Sequence, residues 1–295
     1  MKGMECRLCG AERCSVAKRG IRHDTSIDVY RCSVCRSGFL SSFEHRPTGY
    51  YQNDHFVTSS AFKGRSIPER IRHFDRETQT RLRRHEGLTK NKRVLDYGCG
   101  TGAFLTGLSR VAQNVVGIEP LVSFKEHAIS AGIECFSNVS ELPDQAVFDV
   151  IFAFHVFEHL EDPLGHLTAL SKRLAADGRI IIEVPNIDDA LTGLFTCQEY
   201  VDFIFNPDHL FYFSRESLLW LAEQANLCVD GVRFVQRYPL SNHLGWLSKG
   251  RPNGDLYFGG IFDSEPLTNS YEAALAALGA TDTLLIQLRQ SSGAL

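Results

Sequence analysis

Two CxxC pairs, Cys6-x-x-Cys9 and Cys32-x-x-Cys35, stand near the start of a 295-residue chain. Each pair is short enough to present both thiolates on one side of a tight turn, and together they can close a tetrahedral shell around zinc. With all four positions taken by sulfur, no open site remains, so such an ion is structural. Gly10 and Gly38 follow the two pairs and suit the chain reversals required. Three other groups carry chemical potential. Asp96 precedes a run of glycines, His155-Val156-Phe157-Glu158-His159 gathers two imidazoles and a carboxylate, and Asp208-His209 sets a possible proton acceptor beside an acid.

The glycine run, Val94-Leu95-Asp96-Tyr97-Gly98-Cys99-Gly100-Thr101-Gly102-Ala103, leaves an apolar strand and opens a helix. An open α/β sheet binds nucleotide-like ligands at such a turn, and the letters could pass for a G-x-G-x-x-A dinucleotide fingerprint. The charge decides between ligands. A pyrophosphate would face the Asp96 carboxylate, whereas S-adenosylmethionine (SAM) brings a cationic sulfonium and an ammonium and no phosphate. Glu119, at the end of the next strand, offers two acceptor oxygens to the two ribose hydroxyls. Asn138, after the third strand, has an amide oxygen for the adenine amino group, though it also suits a turn.

The elements that must hold these residues alternate from residue 92 onward. Strands are expected at Arg93 to Tyr97, Val115 to Ile118, Glu134 to Phe136, Phe148 to Phe154 and Arg179 to Val184, with helices between them and a turn at Asp177-Gly178. A helix from Arg215 to Ala225, a sixth strand from Cys228 to Val235 and a seventh from Thr283 to Leu288 complete the pattern. Residues 238–280 read as an insertion over the sheet. The expected fold is therefore α/β: a Rossmann-like seven-stranded sheet at 91–295, a zinc-ribbon-like module at 1–45, and a helical linker or lid at 46–90. The linker helix starts at Pro68, and its arginines read by default as a solvated face.

Four separated motifs then agree. Asp96-x-Gly98-x-Gly100-x-Gly102, Gly117-Ile118-Glu119-Pro120, Phe148-Asp149-Val150-Ile151 and His155-Val156-Phe157-Glu158-His159-Leu160 resemble the class I SAM-dependent methyltransferases, in that family's order over residues 92–235. The resemblance implies a reversed last strand and SAM lying across the ends of the first strands. Asp96 and the glycines Gly98, Gly100 and Gly102 would hold its methionine part and Glu119 its ribose, with Cys99 and Pro120 also at the cofactor and Phe154 and His155 at its border. The H-x-x-E-H string has metal-ligand spacing, but it follows a buried strand directly and lacks a helical setting, which argues against catalytic zinc.

The stretch Asn206-Pro207-Asp208-His209-Leu210-Phe211 resembles a string in sugar methyltransferases acting on nucleotide-linked deoxy-keto-sugars, which also carry an N-terminal four-cysteine zinc module. That likeness implies His209 as general base and Asp208 as its neighbour. Asn206 stands where those enzymes have tyrosine, which leaves the methylated atom open. Tyr50, Tyr51, Phe195, Tyr200, Phe203 and Phe205 could wall an acceptor, with core packing the default.

Composition bounds the rest. An apolar content of 43% with 22% charged residues reads as a globular protein, and no apolar stretch follows Met1-Lys2. The expectation is a cytoplasmic protein with no membrane span and reduced cysteines. A net charge of −4 argues against nucleic acid as partner, so the expected acceptor is a small molecule, a sugar nucleotide or glycan. An RNA methyltransferase and a non-catalytic SAM- or zinc-binding protein stand as alternatives; the oligomeric state is not legible.

Overall fold

The computed structural model describes residues 4–47, 49–51 and 64–291. The chain begins with three short strands, β1 (Cys14–Lys18), β2 (Val29–Cys32) and β3 (Gly38–Leu40). Helix α1 (Ile67–Thr89) follows, with Pro68 in its first turn and the Glu69 carboxylate accepting from the Ser66 backbone N–H at 2.7 Å.

The large sheet is built from β4 (Arg93–Tyr97), β5 (Asn114–Ile118), β6 (Glu134–Phe136), β7 (Phe148–Phe154) and β8 (Leu174–Pro185). Helices α2 (Ala103–Leu108), α3 (Val122–Ser130) and α4 (Pro163–Ser171) lie between these strands. After β8 come α5 (Gln198–Ile204), β9 (Phe211–Tyr212), α6 (Arg215–Gln224) and β10 (Leu227–Val235). Three more helices, α7 (Leu240–Lys249), α8 (Asp255–Phe262) and α9 (Glu265–Leu278), precede β11 (Thr283–Gln290).

The strand order is β10-β11-β8-β7-β4-β5-β6, with β11 antiparallel to both neighbours and β4 to β8 mutually parallel. This is the expected Rossmann-like sheet with its reversed last strand. The central strands read as near-continuous apolar runs because helices cover both faces. Leu95, Ile151, Phe152, Ile180 and Ile182 are fully buried. Truncating Phe152 to alanine would cost about 3–5 kcal/mol through lost burial and a residual cavity.

Two expectations change in detail. Asp177-Gly178 does not separate helix from strand. β8 starts already at Leu174, and residues 175–178 form an irregularity between the Phe148↔Leu174 and Val150↔Arg179 pairs. The arginines of α1 divide as well: Arg72, Arg76 and Arg83 are exposed, whereas Arg81 and Arg84 turn inward to Glu183 and Arg70 is buried.

The first strands do not stand apart. β1, β2 and β3 form an antiparallel sheet whose fourth strand is β9, with Phe39 opposite Phe211 and Gly38 opposite Tyr212. Cys6, Cys32, Phe39 and Leu40 share one apolar core with Phe211, Phe213 and Val184. A segment too short to bury its own core thus completes it against the large sheet. Among the described residues no helix is long and apolar enough to cross a membrane.

Candidate active site

β4 ends at Tyr97, and the chain passes through Gly98 (φ 80°), Gly100 (φ 54°) and Gly102 (φ 77°) before α2. Left-handed values favour glycine at all three, yet their surroundings differ. A Cβ on Gly98 would stand 2.4 Å from Val156 Cγ2, and one on Gly102 would stand 2.9 Å from Ala128 Cβ. Those two glycines admit neighbouring chain. Gly100 meets nothing within 4 Å, so that side of the turn is open.

Beside this turn lies Asp96, 4% exposed, with an Oδ1 that has no hydrogen-bond partner among the described residues. Burial raises its pKa to about 7, while Arg81 pulls the other way. Glu119 accepts the Gly100 N–H at 2.8 Å and the Leu121 N–H at 2.9 Å, one on each oxygen. Burial also lifts its pKa to about 7. Each Glu119 oxygen keeps a second lone pair. An orphaned acid oxygen beside an open glycine turn suits an ammonium and a sulfonium and repels a phosphate, so these residues fit SAM.

The remaining residues expected at the cofactor are placed as follows. Pro120 follows Glu119 at the carboxyl end of β5. The Cys99 Sγ meets Cys135 Sγ at 3.7 Å and lies 3.9 Å from the Gly100 carbonyl oxygen, so the thiol is engaged within the protein. Asn138 caps a 3-10 turn, its amide oxygen accepting from Ser140 N at 3.0 Å and its NH2 donating to Glu141 at 2.7 Å. Phe154 lies under the Arg81 guanidinium, 4.3 Å from ring centroid to Cζ.

His155 sits at the end of β7 with φ 54°, an uncommon backbone state for a residue with a Cβ. Its ring reaches Glu158 Oε1 and Glu183 Oε1, each at 3.2 Å. Glu183 in turn binds Arg81 and, at 3.4 Å, Arg84, while Glu77 pairs with Arg81 and Arg237 at 2.5 Å each. Burial opposes charge on Glu183, but Arg81 and His155 outweigh it and hold the carboxyl well below its usual range. The sequence alone does not single out Glu183 or Arg237, and it places Arg81 on a solvated helix face. The one signal was an acid interrupting Ile180-Ile181-Ile182-Glu183-Val184.

The expected catalytic pair lies next to this network. His209 stacks edge-on with His159, ring centroids 4.9 Å apart, and its Nδ1 is buried without a partner among the described residues. Burial, reinforced by His159, pushes its pKa down to about 3, so its ring is neutral at pH 7. The Asp208 carboxylate accepts from Tyr50 Oη at 2.7 Å, and its carbonyl faces His159 Nδ1 at 2.6 Å. Arg46 Nη1 donates to the His159 carbonyl at 2.8 Å, and His45 Nε2 lies 2.8 Å from the Pro207 carbonyl. His45, Arg46 and Tyr50 therefore strap the turn that carries His209. Tyr51 meets His159 edge-on at 5.9 Å, whereas Tyr200 and Phe203 pack on Trp246 and Phe205 packs on Tyr212.

The four cysteines gather at the other end of the module. Cys6 and Cys35 Sγ atoms are 3.6 Å apart and Cys9 and Cys32 3.7 Å apart, with all four within 4.8 Å of one another. Sulfurs at about 2.3 Å from a central zinc define a tetrahedron with edges of about 3.8 Å, so the donor set and spacing fit that ion.

Residues 69–231 match the model of a family described as a methyltransferase domain, and the chain belongs to that family. Fold and glycine cradle together make it a SAM-dependent methyltransferase of Rossmann-like architecture. It is 30% identical over 166 residues to the ubiquinone biosynthesis O-methyltransferase of Aeromonas salmonicida, spanning 51% of this chain and 69% of that protein. It is 32% identical over 115 residues to the tRNA U34 carboxymethyltransferase of Pectobacterium carotovorum, spanning 34% of this chain and 33% of that one. A SAM-dependent methyltransferase from Thermotoga maritima superposes with TM-score 0.52 at 18% identity, covering 82% of this chain and 100% of that one, which shows a shared fold.

These relatives correct the expectation about partners. One is named for tRNA and none of those named here is a sugar enzyme, so neither the dismissal of nucleic acid nor the sugar-nucleotide or glycan acceptor stands. The physical reason is that a net charge of −4 averages over the whole chain and says little about any one face.

Proposed function

We propose that the protein transfers the sulfonium methyl of SAM to an oxygen nucleophile on its acceptor. The observation that carries this is the buried, unpaired Asp96 carboxylate oxygen beside the open Gly100 turn. Oxygen as the methylated atom rests on the likeness to the O-methyltransferase, which spans half of this chain. The acceptor is proposed to lie where Val156 brings the 157–159 turn against Gly98, beneath the strap formed by His45, Arg46 and Tyr50.

Methyl transfer is an in-line displacement, so alignment and exclusion of water do most of the work. His209 and Asp208 keep a proposed place at the acceptor, His209 by contact and Asp208 by holding Tyr50. A histidine lowered to about 3 is a weak base, so an acidic hydroxyl such as a phenol suits this site better than an aliphatic alcohol. We further propose structural zinc in the four-cysteine cluster.

The test is calorimetry with SAM, S-adenosylhomocysteine and NAD, followed by transfer of labelled methyl to a panel of phenols and to RNA. Heat from the first two and label in a phenol ether supports the reading. Heat from NAD alone, or label in a nitrogen or carbon position, overturns it.

A further inference from the structure

Two groups of histidine and carboxylate lie side by side in this protein, and they are treated differently. Glu77, His155 and Glu183 come together, but Arg81, Arg84 and Arg237 already bind their carboxylates. Glu158, His159 and His209 also come together, with one ligand atom from each lying within 4.8 Å of the others. Here Arg46 donates to the main-chain oxygens of His159 and Pro207.

The second group carries two buried atoms with nothing to bond. Glu158 is 1% exposed; its Oε1 takes His155 Nδ1, while its Oε2 has no partner among the described residues. His209 Nδ1 is in the same position. Buried carboxylate oxygens and imidazole nitrogens are rarely left this way without an ion, a water or a ligand to satisfy them. The third residue is oriented as metal-binding histidines are. A carbonyl only accepts, so the 2.6 Å contact with Asp208 O puts the proton on His159 Nδ1 and the lone pair on Nε2.

We propose that Glu158 Oε2, His159 Nε2 and His209 Nδ1 hold a divalent transition-metal ion. Ligand atoms about 2.1 Å from a common ion stand about 3–4 Å apart, so the group needs only slight closing. Two imidazoles and one carboxylate leave the ion an open position. The role of the ion rests on the methyl-transfer reading: the acceptor hydroxyl binds at the open position and gives its proton to solvent. Its oxygen then takes the methyl carbon as the carbon–sulfur bond of SAM breaks, leaving neutral S-adenosylhomocysteine. The H-x-x-E-H string does not act as one ligand set, because His155 is drawn into the arginine network and a distant histidine takes its place.

The probe is Mn2+, which an all-sulfur site disfavours, titrated into the full chain and followed by loss of the free-ion electron paramagnetic resonance signal. The expected result is one Mn2+ per chain, with binding weakened at least about tenfold in Glu158→Gln and in His209→Gln but unchanged in Glu77→Gln. Calorimetric heat with S-adenosylhomocysteine reports folding of each variant; if His209→Gln fails there, His159→Gln takes its place. No Mn2+ uptake by the wild-type chain, or uptake equal in folded Glu158 and His209 variants, overturns the site. Mn2+ uptake without any SAM heat would instead sink the methyl-transfer reading and leave the site standing.

Discussion

The proposed cofactor cradle takes its groups from residues 96–119, one strand-turn-helix-strand unit, whereas the proposed acceptor corner draws on residues 45–47, 49–51, 155–159 and 206–213. The first is held by local backbone geometry, the second by contacts between segments far apart in the chain. Such regions fail differently: a cradle breaks at single residues, and a corner breaks when any of its supports is withdrawn.

The largest separation is expected from the cysteine module. Cys32 is fully buried in a donor set suited to zinc, and structural zinc contributes about 10–16 kcal/mol to folding of small modules. If the proposed zinc is bound there, Cys32→Ser is expected to release it and unravel β1 to β3, stripping β9 of its partner strand. The variant should then melt in one transition, that of the large sheet alone, with the strand signal of β1 to β3 absent from the start, while S-adenosylhomocysteine still binds within about threefold of wild type. Loss of that binding together with the metal would show that the two regions are one cooperative unit.

Within the cradle, Gly98 and Gly100 sharpen the contrast between neighbouring chain and ligand space. Gly98→Val places a side chain on Val156 at a φ of 80° and should cost about 3 kcal/mol or more, measured by denaturant unfolding. Gly100→Ala has only strain at φ 54° to bear, about 1–2 kcal/mol. Its larger effect should be on SAM affinity, because the added methyl enters the open side of the turn.

Asp96→Asn comes next. Losing a charge-assisted contact should weaken SAM by about 1.5–3 kcal/mol in calorimetry, while the cofactor-free chain, relieved of a buried charge, stays at least as stable. The wild-type pH dependence follows from the same group. With the Asp96 pKa raised to about 7 by burial, a cationic ligand favours the ionised form, so affinity is full above that pH. Below it a proton must be displaced, and affinity should fall by up to about tenfold per pH unit. A flat profile from pH 6 to 8 would remove Asp96 from the cofactor.

How much of each region the sequence reveals follows from the same difference. Strand alternation and the Asp96 and Glu119 motifs were readable because their signals are local and periodic. The pairing of Phe39 with Phe211 was not, since a two-residue strand leaves no periodicity and its partner lies across the chain. Asn138 shows the limit at single residues: an amide after a strand serves a turn or a ligand equally well, and here it caps. Arg81 and Arg84 read as solvated helix positions because their partner, Glu183, comes from a different strand.

The smallest effect is expected at the opposite end of the same strands. Asp149, at the start of β7, accepts from the Arg93 backbone N–H at 2.8 Å and from the Arg93 guanidinium at 2.8 and 3.1 Å. The Arg93 hydrogen bonds hold its carboxyl well below the usual range. A folded-state pKa depressed in this way gives stability that is present above the unfolded value of about 3.9 and lost as pH falls through the folded value. The side chains are 38% and 23% exposed, so solvent screens the pair. Asp149→Asn should therefore cost no more than about 1 kcal/mol at pH 7, with the gap from wild type closing below about pH 4. SAM affinity should not move, because the amino ends of β4 and β7 face away from the glycine turn; a change beyond about threefold would mean that the cradle is tensioned through its strands and is not a local structure after all.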